Sequence, residues 1–500
     1  MQLKQLISGL KVERTEGVLE RDVAGITYNS RLVTPGMVFV AIPGQNTDGH
    51  DFIPSAIDRG AAAIICERNG FVAHRAAKIK VQDSREALAL AAAAFYGRPA
   101  TKLQMIGVTG TKGKTTVSFL LKHILETAGV GAGLIGTVRY EIGDRVIPAH
   151  RTTPEALEIH QMLSQMLRAD CKACVMEVSS HALDQKRIHG IDFDAAIFTN
   201  LGQDHLDYHG TMENYFQAKR RLFTSAYLEA KSGSAVINLD DAFGARLATD
   251  DGVSVKLTYG FAEGARLRAL NIELGPEETR FTVEGPNLRF QCVIPLIGRH
   301  NIYNALAAIG AALVLNLDPQ VIRRALANFR PVPGRLEAIQ CGQPFGVYVD
   351  YAHTADSLRH ALATVREIAT GRVIVVFGCG GSRDTGKRPQ MGRVAAEGAD
   401  ETWITTDNPR KETPEAIAAQ IEAGYREVRT DHYTVELDRR RAIDEALRAA
   451  APGDVVLIAG KGHETYQEFA DTVVPFDDRL YAQETLEALG HAARPHAAST

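Results

Sequence analysis

Cysteine is scarce in this chain: six among 500 residues, at positions 66, 171, 174, 292, 341 and 379. So sparse a set implies no disulfide framework, and a reducing cytosol is the expected setting. One C-x-x-C pair occurs, Cys171-Lys-Ala-Cys174. It has no second pair and leads into a buried strand, so packing is expected there rather than metal or redox chemistry. Long apolar runs are missing, and with them any expected membrane span. The opening Met1-Gln-Leu-Lys-Gln-Leu6 lacks the basic-then-apolar layout of a secretory leader. Positive charge is not in excess. The net charge of −4 gives no sign of a nucleic-acid surface. A cytoplasmic protein with small-molecule partners is expected.

What is present is globular. The chain is 45% hydrophobic and 23% charged. Its length calls for two to four domains. Gly107-Val-Thr-Gly-Thr-Lys-Gly-Lys-Thr-Thr116 organises the rest. Lys102–Ile106 ahead of it reads as a buried strand, and Val117, Leu120, Leu121, Ile124, Leu125 and Ala128 behind it recur at helical spacing. A glycine loop between strand and helix cradles phosphate, because the helix N-terminus presents N–H groups and the positive end of its dipole. Gly110 and Gly113 allow close backbone approach, Lys114 would neutralise phosphate charge, and Thr115 can offer a hydroxyl to Mg²⁺. The general pattern G-x-x-x-x-G-K-[ST] asks for glycine at position 108, where this chain has Val108.

Before this loop, Val38–Ile42 and Ala61–Ile65 read as strands, a short helix closes over Ala56 to Gly60, and Ala87–Tyr96 reads as a helix stopped by Gly97-Arg-Pro99. Tyr28-Asn-Ser-Arg31 and Gln45-Asn-Thr-Asp-Gly49 have the composition of turns. After the loop, apolar strands repeatedly end in polar clusters. Ala173–Met176 runs into Glu177-Val-Ser-Ser-His181, and Ala195–Phe198 into Thr199-Asn-Leu-Gly-Gln-Asp-His205. Open α/β sheets bind ligands at such ends. Gly298-Arg-His-Asn-Ile-Tyr-Asn304 opens a helix on which Asn301 and Asn304 share a face. Beyond Arg330-Pro-Val-Pro-Gly334, four more strands behave alike. Val347–Val349 meets Asp350-Tyr-Ala-His353, Val373–Phe377 meets Gly378-Cys-Gly-Gly-Ser-Arg383, Trp403–Thr406 meets Asp407-Asn-Pro-Arg410, and Val455–Ile458 meets Ala459-Gly-Lys-Gly-His-Glu464. Four in succession suggest one lined edge.

Glu177 is either a Mg²⁺ ligand or a solvated strand-end carboxylate. Asp204-His-Leu-Asp-Tyr-His209 fits no standard zinc spacing, and the upstream phosphate loop points to magnesium. Arg383 and Arg410 could grip carboxylates by their guanidinium forks and Glu464 an ammonium, together holding an amino acid with an extra carboxylate. A surface salt-bridge network is the alternative.

Thr109–Thr116, Glu177–His181, Thr199-Asn200 with Asp204–Gly210, His300–Ala305, Pro333-Gly-Arg-Leu-Glu337 and Asp350–Thr354 together resemble the Mur ligase family, over nearly the whole chain. Asp407-Asn-Pro-Arg410 is similar to the members that take meso-diaminopimelate. The resemblance implies an α/β fold of three domains. These are a small UDP-substrate-binding domain over 1–98, a central doubly wound ATP-binding domain of phosphate-loop type over 99–331, and a Rossmann-like amino-acid-binding domain over 332–500. It implies that ATP phosphorylates the glutamate side-chain carboxylate of UDP-N-acetylmuramoyl-L-alanyl-D-glutamate, and that a diaminopimelate amine attacks the acyl phosphate. By motif, Gly110, Thr111, Lys112, Gly113, Lys114, Thr115 and Thr116 would hold ATP, with Asn301, Asn304, Arg335, Asp350 and His353. Tyr28, Ser30, Gln45, Asn46 and Thr47 would hold the uridine end, and Thr152, Thr153, Ser179, Gln185 and Arg187 the rest of that substrate. Arg383, Asp407, Asn408, Pro409, Arg410, Gly460 and Glu464 would contact diaminopimelate. Thr115, Glu177, His205 and Lys219 would serve Mg²⁺, Lys219 as a carbamate (N6-carboxylysine). From the residues alone Lys219 is an exposed helix lysine beside Arg220 and Arg221.

Asn29, Arg151 and Ser382 depart from the family pattern. A lysine-adding relative, a folate polyglutamylating ligase and a nucleotide-dependent switch are the rival expectations. A monomer is expected, with movement about residues 331–334 bringing ATP and amino acid together.

Overall fold

The computed structural model describes residues 1–44, 47–71, 75–253 and 256–491. Gln45 and Asn46, two of the expected uridine contacts, lie outside the described residues. The fold is α/β, with a separate sheet in each of three successive stretches of chain.

The first sheet has five strands, ordered Val12–Glu16, Ala77–Val81, Ala63–Cys66, Met37–Val40 and Gly25–Thr27. All neighbours are parallel except the edge strand Val12–Glu16. Its main helix, Ser84–Phe95, starts three residues before the expected Ala87, because Asp83 caps it by accepting the Glu86 amide at 2.8 Å.

The second sheet has eleven strands. At its centre Gln104–Thr109 lies between Ala173–Glu177 and Ala195–Phe198, with Ala132–Ile135 beyond the former, all parallel. The chain leaves Gln104–Thr109 toward one side and later returns on the other. The loop after Gln104–Thr109 therefore sits at the topological switch point, where open sheets leave a crevice. The central strands are buried on both faces, which is why they read as unbroken apolar runs. Each fully buried Val, Ile or Phe there contributes about 1.5–3 kcal/mol.

The third sheet has six strands, ordered Glu337–Ala338, Gly346–Asp350, Val455–Ala459, Val373–Phe377, Glu401–Ile404 and Tyr433–Val435. Only Glu337–Ala338 runs antiparallel. The four strands expected to share a lined edge are neighbours with a common direction, so their polar ends emerge on one side. A buried ion pair braces that side. The Arg439 guanidinium donates through Nε and Nη2 to the two Asp478 oxygens, each at 2.7 Å, and Nη2 also donates to the Ala459 carbonyl at 2.9 Å. Neither side chain of the pair is exposed. It ties helices Arg439–Ala449 and Asp478–Ala488 to the end of strand Val455–Ala459.

The chain divides into two compact units: residues 1–269, 283–289 and 303–325, and residues 270–282, 290–302 and 326–500. No helix among the described residues is long and apolar enough to cross a membrane. Cys171 and Cys174 are buried free thiols, as packing requires.

Candidate active site

The phosphate loop forms as expected, between strand Gln104–Thr109 and helix Lys114–Thr127. Gly110 has φ +147° and Gly113 φ +85°. A Cβ at Gly110 would run into Thr199 Oγ1, and one at Gly113 into Asn304 Oδ1. Glycine is therefore required twice over, by conformation and by space. The loop is clamped from the neighbouring strand end. Asn200 Oδ1 accepts the Lys112 amide at 2.9 Å, the Asn200 carbonyl accepts the Thr111 amide at 2.9 Å, and Thr199 Oγ1 donates to the Lys112 carbonyl at 2.6 Å. Lys114 Nζ curls back onto the Gly110 and Thr111 carbonyls, both at 2.9 Å.

Lys219 overturns its expectation as an exposed helix lysine. It is 1% exposed, and its Nζ donates to the same Gly110 carbonyl at 2.9 Å. Helix Met212–Arg220 turns Tyr215 and Lys219 to one face, with Lys219 Nζ 4.7 Å from the centre of the Tyr215 ring. Arg220 and Arg221 point elsewhere, to Asp250 and Asp184. Burial, then the charge of Lys114, pushes Lys219 well below the usual lysine range. Two amines thus converge on one carbonyl oxygen, an arrangement that disfavours charge on Lys219.

Glu177 is likewise no solvated carboxylate. It is fully buried at the end of its strand, level with Val108, and accepts from the Thr137 amide at 2.9 Å and the Thr137 hydroxyl at 2.8 Å. His205 stands exposed at φ +53°, its ring 4.8 Å from that of His181. Burial, then the neighbouring His205 and His209, pushes His181 down to about 4. Among the described residues no three His, Cys, Asp or Glu side chains converge on a metal site. A buried carboxylate at Glu177 and a buried hydroxyl residue at Thr115 are instead oxygen donors of the kind Mg²⁺ takes, in small number, completing its shell with phosphate and water.

The turns of the first sheet are built by local capping. Asn29 Oδ1 accepts the Arg31 amide at 3.1 Å and Asp48 Oδ1 the His50 amide at 3.0 Å. Asn29, a departure from the family, therefore still serves as the cap. Ser30 is buried, and the Thr47 carbonyl accepts the Gly44 amide at 3.0 Å. Tyr28 donates its hydroxyl to Glu158 at 2.7 Å.

Thr152, Thr153, Ser179, Gln185 and Arg187 are brought together. Thr153 Oγ1 donates to the Glu177 carbonyl at 2.7 Å and accepts the Ser179 amide at 3.0 Å. Arg187 donates to the Thr153 carbonyl at 2.8 Å and to Gln185 Oε1 at 2.6 Å. The Thr152 hydroxyl lies 3.0 Å from that of Thr137. Arg151, another departure, pairs with Glu155 at 2.8 Å, and Arg187 pairs with the same carboxylate at 3.1 Å.

In the second unit, Asp350 accepts the Leu336 amide at 2.8 Å, and burial pushes its carboxyl up against the opposing pull of Arg335. Arg335 lies over the Tyr351 ring, and His353 Nδ1 is 2.8 Å from the Tyr351 carbonyl. Asn301 donates to the Ile297 carbonyl at 2.8 Å. Asp407, Asn408 and Glu464 surround an ammonium missed in the sequence, that of Lys461, which is fully buried. Its Nζ donates to Asn408 Oδ1 at 3.1 Å and to Glu464 Oε2 at 3.2 Å, with Asp407 Oδ1 at 3.6 Å. Asn408 Oδ1 also accepts the Glu468 amide at 3.0 Å, so its Nδ2 is directed to Glu464 Oε2 at 2.9 Å. Gly460 donates its amide to the Asp350 carbonyl at 3.1 Å. Glu464 is therefore held in a cluster around buried Lys461, while the two arginines of the surface network considered from the sequence go separate ways. Arg410 is half-buried against Glu468, whereas Arg383 is exposed on its loop. Glu412 accepts the Ser382 amide at 2.5 Å and a fork from the fully buried Arg388, bracing the loop at the third departure. The one signal for Lys461 was its place between Gly460 and Gly462 at a strand end.

Three family descriptions match in chain order. They are Mur ligase family, catalytic domain over residues 22–96, Mur ligase middle domain over 108–312, and Mur ligase, glutamate ligase domain over 334–462. The chain is 44% identical over 497 residues to the UDP-N-acetylmuramoyl-L-alanyl-D-glutamate–2,6-diaminopimelate ligase of Solibacter usitatus, covering 98% of this chain and 99% of that one. It is 46% identical over 488 residues to the enzyme of the same name from Gloeobacter violaceus, covering 97% and 98%. A solved structure bearing that ligase name aligns with TM-score 0.73 and 31% identity over 98% of this chain and all of the other. A folylpolyglutamate synthase from Mycobacterium tuberculosis aligns with TM-score 0.61 at 17% identity, over 82% of this chain and 96% of its own, which marks a common fold. With the glycine loop clamped by Thr199-Asn200, the buried lysine on that loop and the lined edge of the third sheet all in place, this chain belongs to the Mur ligase family.

Proposed function

We propose that this protein is a cytoplasmic, ATP-dependent amide ligase of peptidoglycan precursor synthesis, joining meso-2,6-diaminopimelate to UDP-N-acetylmuramoyl-L-alanyl-D-glutamate. The γ-phosphoryl group of ATP passes to the glutamate side-chain carboxylate, giving an acyl phosphate and ADP. A diaminopimelate amine then attacks the acyl carbon. The C–N bond forms, the C–O bond to phosphate breaks, and phosphate and the amine proton leave. Little covalent work falls to the protein, so position and field dominate. Gly110–Thr116 hold the phosphates and Lys114 offsets their charge. Asn301, Asn304, Arg335, Asp350 and His353 serve the rest of the nucleotide. Tyr28, Ser30, Gln45, Asn46 and Thr47 hold the uridine end of the second substrate, and Thr152, Thr153, Ser179, Gln185 and Arg187 hold the remainder.

Thr115, Glu177, His205 and a carbamylated Lys219 would hold Mg²⁺, which when bound adds positive charge beside the phosphates. Carbamylation needs a neutral amine: R–NH₂ and CO₂ give R–NH–COO⁻ and a proton. Burial of Lys219, with Lys114 close by, shifts its equilibrium toward that amine.

The observation that carries the acceptor assignment is Arg410, anchored by Glu468 and by the Gly381 carbonyl at the strand edge that also carries Asn408 and Glu464; Asp407, Pro409, Gly460 and Arg383 would complete the site. A guanidinium answers a second carboxylate, which diaminopimelate has and lysine lacks. Phosphate release with the nucleotide substrate and ATP should depend on meso-diaminopimelate and be small with L-lysine. Equal rates would overturn the assignment.

A further inference from the structure

The hairpin formed by Tyr466–Phe469 and Thr472–Pro475 follows directly on the Gly460–Glu464 loop. It reaches Arg410 by backbone and by side chain. The Arg410 amide donates to the Glu468 carbonyl at 3.0 Å, and the Arg410 carbonyl accepts the Ala470 amide at 2.6 Å. This clasp holds Arg410 at φ +53°, a left-handed conformation unusual for arginine. The Arg410 side chain is then fixed at two points. Nε lies 2.8 Å from Glu468 Oε2, and Nη1 donates to the Gly381 carbonyl at 3.0 Å. Two anchors on a rigid planar group set its plane, and Nη2 is the nitrogen they do not engage.

We infer that Glu468 is a positioning residue: it sets the plane of the Arg410 guanidinium so that the remaining nitrogen meets the far-end carboxylate of the incoming amino acid. The inference rests on the acceptor assignment above. Glu468 contacts no reacting atom and acts only through Arg410. A long arginine side chain without this anchor samples several rotamers, and a single charge-assisted hydrogen bond is worth about a factor of ten in affinity. Glu468 is about one-third exposed, so its replacement leaves the fold intact.

The test is steady-state phosphate release by the full chain with saturating ATP and nucleotide substrate. Glu468→Ala should raise KM for meso-diaminopimelate about tenfold while changing kcat less than twofold, with KM for ATP unmoved. Glu468→Gln, which keeps an oxygen acceptor for Nε, should recover most of that loss. The small residual rate with L-lysine, which has no far-end carboxylate, should not respond to either change. An unchanged or lower KM in Glu468→Ala would overturn the inference, as would a Gln variant no better than Ala. If the parent shows no diaminopimelate-dependent release, the acceptor assignment itself fails and this inference falls with it.

Discussion

At the scale of single residues, three long cationic side chains are held in three different environments. Lys114 lies on the phosphate loop, Lys219 is buried against the same carbonyl, and Lys461 is buried among Asp407, Asn408 and Glu464. Asp407 Oδ1 lies 3.6 Å and Glu464 Oε2 3.2 Å from the third. Replacing Lys219 by Met removes an amine whose charge is costly where it stands, while keeping its length. Lys219→Met should therefore melt no lower than the parent, yet lose at least 100-fold in kcat, by calorimetry and phosphate release. Parent protein under ¹³CO₂ should show a carbamate carbon resonance that the variant lacks. A parent without that resonance would remove the carbamate. For Arg410→Lys, the single ammonium cannot serve Glu468, Gly381 and a ligand carboxylate at once. Its kcat/KM for diaminopimelate should fall about 10–100-fold, against less than twofold for Arg145→Lys on the exposed strand Arg145–Pro148.

At the scale of elements, the strands were legible and the environments of their polar ends were not. Ala195–Phe198 and Val373–Phe377 match their sequence reading residue for residue, because a strand buried on both faces must be apolar throughout. The phosphate loop was legible for a similar local reason: its glycines and its lysine are neighbours in the chain. Taken alone, Glu177 read as solvated and Lys219 as exposed, since nothing nearby in sequence encloses them. Thr137 and Gly110, which do, lie 40 and 109 positions away. The Arg439–Asp478 pair was invisible for the same reason, its partners being 39 positions apart. Breaking it leaves one charge buried without a counterion. Arg439→Met should cost about 3–5 kcal/mol in denaturant unfolding of the second unit. A loss below about 1 kcal/mol would mean that the pair does not brace the strand end.

At the scale of the whole molecule, stability should depend on pH through a buried group that the proposed chemistry does not use. His160 lies within helix Ala156–Arg168, is fully buried, and burial pushes it down to about 4. An unfolded histidine titrates near 6.5, so the unfolded chain takes up this proton first. The stability contribution of neutral His160 is complete above about pH 6.5 and is lost as pH falls toward 4. Between pH 7 and 4.5 the loss should be about 2–3 kcal/mol. His160→Leu should show a correspondingly shallower decline across that window in urea titrations. Parallel declines would show that His160 is not the group responsible.

The sequence by itself determined the α/β class, the phosphate loop, the order of polar strand ends and the family likeness, because each is written in neighbouring residues or in a regular period. Only the tertiary structure decided which of those polar groups are buried and what faces them. It brought Lys219 against Gly110, enclosed Glu177, placed Lys461 among Asp407, Asn408 and Glu464 and anchored Arg410 on Glu468. Burial and charge pairing arise between segments far apart in the chain. The propensities and spacings that reveal a strand or a loop carry no record of what the fold will set beside it.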